Sequence, residues 1–561
     1  MPRTKASLRR FILLTGIATT LFGNTGTADT FGLPKLLVLL LGTSALLLLA
    51  APDVAVIGRT RRGVAIAATA LIAGLTIAAL ASHQAVYLTL YGAIGRANGW
   101  LCYTALAIVL VLTAFAFDDP LRVARVLAVL GGAMAVYGLL QYLGIDPIDW
   151  HRGFVVKGTF GNPDFASGFL GIVGVVLLGF ALRPARRRRE RILVVGALLL
   201  VLAVIRLSLA IQGLLGFAIG AMVLGGLLLL GEDQPEHIRR LRRPYVGITS
   251  ALLVIVTLGI TDRGPLAGML FKASVQHRFY MWEAALRMFR MRPVTGVGIE
   301  AYSDWYRVTR SAASVRFLGP EVFSNAAHSV LLNLLATGGI VLVLPYLALW
   351  IIVARAGLRA ARRPETRTAA AILTGAWVAY VADSLVSMDQ IGIAVWGWVL
   401  GGAVLALTPG RTVAVSRTAA RTAAVAALAA AALGLGSVAY AARIDAQAGA
   451  ASVLPVSTAA ERAIAVPALL SAAEACPEPI RVLGLVDQLR QAGAMDASIR
   501  AGRDAVSRFP REVLLWQELA TGYEETEQWG RAIAVRERIR ALDPLNSDSL
   551  RQLALDRAAA G

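Results

Sequence analysis

The chain has 561 residues, of which 57% are hydrophobic and 16% charged, and a mean hydropathy of +0.66. That balance excludes a soluble enzyme built on one large core and predicts a polytopic membrane protein. The formal net charge of +20 does not imply nucleic acid as a partner, because arginine clusters between apolar runs are what cytoplasmic membrane loops carry. The apolar runs recur too often for a single signal peptide, and the two cysteines, Cys102 and Cys476, supply neither a disulfide framework nor metal-ligand spacing.

A spanning helix needs roughly 20 apolar residues. About thirteen segments approach that length, near 11–23, 33–52, 63–81, 99–117, 122–143, 164–182, 192–207, 209–230, 245–261, 328–354, 369–388, 390–408 and 419–440. The predicted fold is therefore all-α, a polytopic helix bundle of 12–13 spans over residues 1–440. Lys and Arg gather in the N-terminus, the loop Arg59–Arg62, Arg183–Arg191, Arg239–Arg243, Arg355–Arg367 and Arg411–Arg421, which fall on one side if all thirteen cross. That side is expected to be cytoplasmic, which places the N-terminus inside and the loops 144–163 and 262–327 and the tail 441–561 outside the cytoplasmic membrane.

The loop 144–163 ends in KGTFGNP, where Gly161, Asn162 and Pro163 mark a turn and Asp164 is a candidate cap for the next helix. The long polar stretch 262–327 carries nine Lys and Arg (Arg263, Lys272, Arg278, Arg287, Arg290, Arg292, Arg307, Arg310, Arg316) against five acids. A guanidinium presents a planar fork of donors to phosphate oxygens, so such a loop at an outer leaflet suits a lipid-linked phosphate, although most surface arginines are merely solvated. Arg278, followed by Trp282, Glu283, Arg287 and Arg290, predicts an amphipathic helix with basic and aromatic faces. His328 follows Ser324 and Asn325, which are expected to cap a helix beginning just before it, so its ring would lie in a first turn that favours neutral imidazole. The five histidines are scattered, and no hydrolytic triad, phosphate-cradling glycine loop or metal cluster is present in the pattern.

Beyond residue 440 the sequence becomes Ala, Arg and Glu rich. Trp516, Leu519, Tyr523, Ala532 and Pro544 sit at the offsets of a tetratricopeptide repeat, and Pro510 and Pro544 are 34 apart, the period of that repeat. Val482 and Ser498 stand where an earlier repeat would carry Trp and Ala. Stacked helix pairs would offer a concave face to a protein or glycan partner, or serve only as a scaffold.

GTFGNPDFASGFL, RFYMWEAALRMFRMRPVTGVG, the spacing of His328, Ser329 and Gly339, and SLVSMDQIGIAVWGWVLGG together resemble the O-antigen ligase and O-antigen polymerase superfamily over roughly residues 90–408. The resemblance implies a membrane glycosyltransferase that uses a polyprenyl-diphosphate-linked glycan, with acceptor glycan, lipid or protein, membrane lipids around it, and no cofactor or metal. It implies catalytic roles for His328 and Arg278 and substrate contacts from Arg206, Gln212, Trp282, Arg287, Asn162 and Asp389. The family usually has a second arginine in a middle span; here LSLAIQGLLG places Gln212 at that point, with Arg206 six residues upstream. The competing readings are a transporter or flippase of lipid-linked glycans, and a scaffold recruiting envelope proteins through the tail. Against a transporter, hydropathy shows no internal repeat and no paired broken helices.

Overall fold

The computed structural model describes residues 2–27, 29–150, 153, 155–183, 187–230, 234–410 and 414–561, and among them every regular element is a helix. Parts of the loop 144–163 and of the arginine-bearing segments 183–191 and 411–421 lie outside the described residues. In chain order the main helices are α1 (Pro2–Leu21), α2 (Gly32–Ala50), α3 (Arg62–Leu80), α4 (Trp100–Ala116), α5 (Leu121–Tyr142), α6 (Pro163–Ala181), α7 (Arg188–Leu207), α8 (Gln212–Leu228) and α9 (Arg242–Ile260). The polar stretch contributes α10 (Ala273–Met291), α11 (Tyr302–Thr309) and α12 (Ala312–Leu318), and the bundle closes with α13 (Val330–Ala361), α14 (Pro364–Val386), α15 (Ile391–Ala406) and α16 (Arg417–Ser452).

Each of the thirteen apolar segments is helical, and among the described residues eight helices are long and apolar enough to cross a membrane by length and composition. Three more, α4, α8 and α15, are apolar but shorter. The first and seventh segments, α1 and α7, carry Arg3, Lys5, Arg9 and Arg10, and Arg188, Arg189, Arg191 and Arg206, so neither reaches that standard. A charge inside the bundle is accommodated by pairing. Lys35 on α2 is buried, and its ammonium donates to the carbonyls of Thr19, Thr20 and Phe22 at 3.1, 2.7 and 2.7 Å, filling acceptors that the C-terminal end of α1 leaves open.

Residue 339 interrupts α13. Gly339 has φ +60°, and a Cβ there would lie 2.3 Å from the Val294 carbonyl oxygen, so a side chain is excluded both by conformation and by space. The interruption frees backbone groups, and the segment after α10 takes them up. Ile340 and Val341 donate to Pro293 and Val294 at 3.0 and 3.2 Å, while Val297 and Gly298 donate to Ala336 and Thr337 at 2.9 and 3.1 Å. Gly296 allows this approach, since a Cβ on it would sit 2.3 Å from the backbone of Thr337. Non-helical backbone at membrane depth is tolerated when protein satisfies it in this way, and here the satisfaction also fixes α10 to the helix that follows His328.

The change of composition at 440 falls inside α16, a continuous helix of 36 residues. At 1.5 Å per residue it is about 54 Å long, well beyond a hydrocarbon core of about 30 Å, so its far end reaches the tail and packs Ala448 and Ala451 into the tail core. The tail continues with α17 (Ala459–Ala475), α18 (Pro479–Gln491), α19 (Met495–Arg508), α20 (Val513–Glu525), α21 (Trp529–Leu542) and α22 (Ser547–Ala559). The helix starts Pro479, Val513 and Ser547 recur every 34 residues. The tail grips the polar stretch: Arg307 and Arg310 both donate to the fully buried carboxylate of Asp543, at 2.7 and 2.6 Å. Arg511 adds its guanidinium 3.8 Å from the Trp305 ring centroid.

Candidate functional site

The site forms where the first turns of α6, α8 and α10 converge. Asn162 caps α6, its side-chain oxygen accepting from the Asp164 amide at 2.8 Å, and Pro163 occupies the first helical position. Asn162, not Asp164, is therefore the cap. Asp164 is left free to face α10, where its carboxylate accepts from Arg278 Nη2 at 3.3 Å. Arg278 Nη1 lies 3.4 Å from the Ser274 carbonyl, and Nε is buried without a partner.

One turn further along α10, Trp282 buries an indole N–H that also has no partner. Gln212 opens α8 and donates to Asp383 of α14 at 2.5 Å, while its own oxygen is buried and unpaired. Between these groups lies a cavity of about 220 Å3. Asp164, Gln212, Lys272, Arg278 and Trp282 form its polar side, and Leu215, Ile260 and Val386 belong to its apolar wall. A buried donor or acceptor without a partner costs roughly 1–3 kcal/mol, so three of them around one cavity mark a place that a polar ligand would complete.

His328 lies before α13 and not in its first turn. The helix starts at Val330 with Ser329 as its cap, so the expectation of a cap at Ser324 or Asn325 is corrected: Ser324 instead turns its hydroxyl to the Ala326 carbonyl at 2.8 Å. His328 itself has φ +47°, a left-handed conformation that a non-glycine residue adopts only when its surroundings hold it. Burial, followed by the nearby positive charges of Arg278 and Arg96, holds its imidazole down to about 4. Arg96 in turn is pinned by Glu300 at 2.6 Å, both almost fully buried.

The structure thus gathers Arg278, Trp282 and Gln212 around one cavity, with Asn162 placing Asp164 there and His328 within reach of the Arg278 field. It does not bring the other three candidates to it. Arg206 is exposed on α7, and Arg287 is exposed and paired with Glu283 at 2.7 Å, about 13 Å along the helix from Arg278. Asp389 is buried elsewhere, accepting from the hydroxyls of Tyr103 and Tyr380 at 3.0 Å each. Sequence reasoning passed over Asp383 and singled out Lys272 only as one of nine charges. An acid alone in an apolar span, as Asp383 is in SLVSMDQ's helix, was the available signal.

Residues 166–347, from α6 through the first half of α13, match the O-antigen ligase family model. That stretch is similar to an O-antigen ligase domain. It contains Gln212, Lys272, Arg278, Trp282 and His328, whereas Asp383 and Asp389 lie beyond the match. The matched region and the apolar helices together point to an integral membrane protein. No curated protein matches the chain.

Proposed function

We propose that the protein transfers a glycan from a polyprenyl-diphosphate carrier to an acceptor hydroxyl at the extracytoplasmic face of the cytoplasmic membrane. The observation that carries this reading is a cavity with an apolar wall and a cationic wall formed by Arg278 and Lys272, with the Arg278 charge acting on a neutral His328. The diphosphate sits against Arg278 and Lys272, displacing the weak Asp164 pairing, and the polyprenyl chain leaves along Leu215, Ile260 and Val386. Gln212, not Arg206, takes the place of the family's second arginine, and Lys272 supplies the charge that Gln212 lacks.

In the reaction the bond between the anomeric carbon and the diphosphate oxygen breaks as the acceptor oxygen bonds to that carbon. Arg278 and Lys272 stabilise the charge that grows on the departing diphosphate. The acceptor hydroxyl becomes acidic as it bonds, and His328 accepts its hydrogen bond. An imidazole held down to about 4 is a weak base at neutral pH. A bound diphosphate offsets the Arg278 charge that contributes to the depression, so donor binding raises the basicity of His328 just before it is needed. The repeats of the tail are tetratricopeptide-like and extracytoplasmic, placed to meet a protein or glycan partner.

The test uses purified protein in lipid nanodiscs with a synthetic polyprenyl-diphosphate glycan. Arg278→Lys keeps the charge but loses the fork, so transfer should fall sharply in a folded protein. His328→Ala should cut transfer by about a hundred- to ten-thousandfold with donor binding retained. Full transfer by both variants would reject the assignment.

A further inference from the structure

We infer that the side-chain oxygen of Gln212 reads the first sugar of the donor, accepting a hydrogen bond from an N–H or O–H on the carbon next to the anomeric carbon, and that Asp383 holds it turned for that contact. This deepens the glycosyl-transfer reading and rests on it.

Gln212 is 7% exposed, and the two ends of its amide are treated differently. The nitrogen donates to Asp383 at 2.5 Å, whereas the oxygen is buried without a partner among the described residues. Gln212 is part of the cavity wall and Asp383 is not, so the nitrogen is turned away from the cavity and the oxygen is left on its side. An ionised carboxylate only accepts, and turning the amide over would set oxygen against oxygen, so Asp383 decides which atom the cavity meets. Gly168 on α6 admits that carboxylate, since a Cβ there would lie 2.6 Å from its Oδ1. Lys272 shares the cavity yet leaves the Gln212 oxygen unpaired.

The chemistry of the donor decides what can complete this oxygen. A diphosphate esterified at both ends is ionised at neutral pH and offers acceptors only, which suit Arg278 and Lys272 and are repelled by an amide oxygen. A polyprenyl chain has neither donor nor acceptor and suits Leu215, Ile260 and Val386. The glycan alone carries N–H and O–H groups. With the diphosphate held in the same cavity of about 220 Å3, the sugar within reach of Gln212 is the one bonded to it, and the nearest such group is on the carbon next to the anomeric carbon. The acceptor hydroxyl belongs to His328, which is not part of this wall. Trp282 adds its unpaired indole N–H to the wall, so an acetamido group, with one N–H and one carbonyl, completes both residues, and a hydroxyl completes Gln212 alone. A sugar with neither leaves a buried acceptor unpaired and is disfavoured.

The experiment measures equilibrium binding of synthetic polyprenyl-diphosphate monosaccharides to the full chain in nanodiscs, without acceptor. The donors differ only at that carbon, which bears an acetamido group, a hydroxyl or hydrogen alone. Wild type should bind the hydrogen-bearing donor about fivefold to a hundredfold more weakly than the better of the other two, the size of one buried acceptor left unpaired. Whichever of those two binds better identifies the group that Gln212 meets. Gln212→Met should bring the ratio to within about twofold, and Gln212→Leu serves if the methionine variant is not recovered. Asp383→Asn, whose amide tolerates either orientation of Gln212, should narrow the ratio, whereas a merely structural loss would weaken all the donors alike. An unchanged ratio in Asp383→Asn would overturn the part given to Asp383. Equal affinity of wild type for all the donors, or a ratio kept by the Gln212 variant, would overturn the inference even if transfer is intact. A ratio that collapses with Gln212, in a protein that transfers nothing, would support the sugar contact and reject the transferase reading. Binding of none of the donors would overturn both.

Discussion

In the proposed reaction the contact between Asp164 and Arg278 sets the free energy at which a diphosphate enters. Their contact of 3.3 Å joins a largely buried guanidinium to a partly exposed carboxylate and is longer than a strong charge-assisted bond, so it contributes about 1 kcal/mol, yet it occupies part of the fork that a phosphate would use. Asp164→Asn should therefore lower the donor KM about two- to fivefold, measured as initial rates against donor concentration. The neutral state of His328 makes a second expectation. Its folded value of about 4 lies below the ordinary histidine value, so the unfolded state binds more protons between those limits, and stability falls as pH drops from about 6.5 to 4. Proton NMR of the histidine ring signals, assigned with His328→Gln, should show one histidine titrating near 4. Replacing Arg278 by Gln should move that titration upward without reaching the ordinary value, because burial is the larger cause. At this scale the sequence told which residue types to look for, as with Arg278 and His328. The Gln212–Asp383 pairing was illegible because it joins residues 171 apart through packing alone.

The interruption at Gly339 holds α10 and α13 in register, and with them Arg278 and His328. Gly339→Ala places a methyl against the Val294 carbonyl and a β-carbon in a left-handed conformation. The expected result is loss of exchange protection at the Val297 and Gly298 amides in hydrogen-exchange mass spectrometry, and a fall in transfer comparable to that of a His328 variant. The apolar segments were readable as helices because 20 apolar residues have few other stable forms in a membrane. The break was not, since α13 is apolar on both sides of it, and its cause is a segment over 40 residues earlier that supplies the missing hydrogen bonds. The cap before α13, and with it the placement of His328, was missed by four to five residues for a related reason: Ser324 and Ser329 are both good caps, and only the fold chooses between them.

The bundle and the tail are joined by charges that neither could hold alone. Asp543→Ala leaves Arg307 and Arg310 buried without their carboxylate, which should cost about 3–5 kcal/mol and expose the Arg310 region to trypsin in an otherwise membrane-inserted protein. The same junction responds to pH. Asp304, buried and bonded by Gln84 at 3.1 Å, is pushed up to about 6 by burial, so its stabilisation is full below about 4 and lost as pH rises through 6. Tryptic release of the tail should therefore be faster at pH 7 than at pH 5; Glu512, which burial and then the neighbouring Asp304 push up to about 7, adds to the difference, so Asp304→Asn should narrow it and Asp304→Asn with Glu512→Gln should remove it. The double grip on Asp543 also has a consequence in time. Arg310 leaves the ribosome 233 residues before Asp543, which at 5–20 residues per second is about 10–50 s. During that interval α13 follows Arg310 out of the ribosome and joins α10, while Arg307 and Arg310 wait without their carboxylate. A nascent chain is thus unlatched, and its polar loop stays open to chaperones and proteases until the last helices arrive.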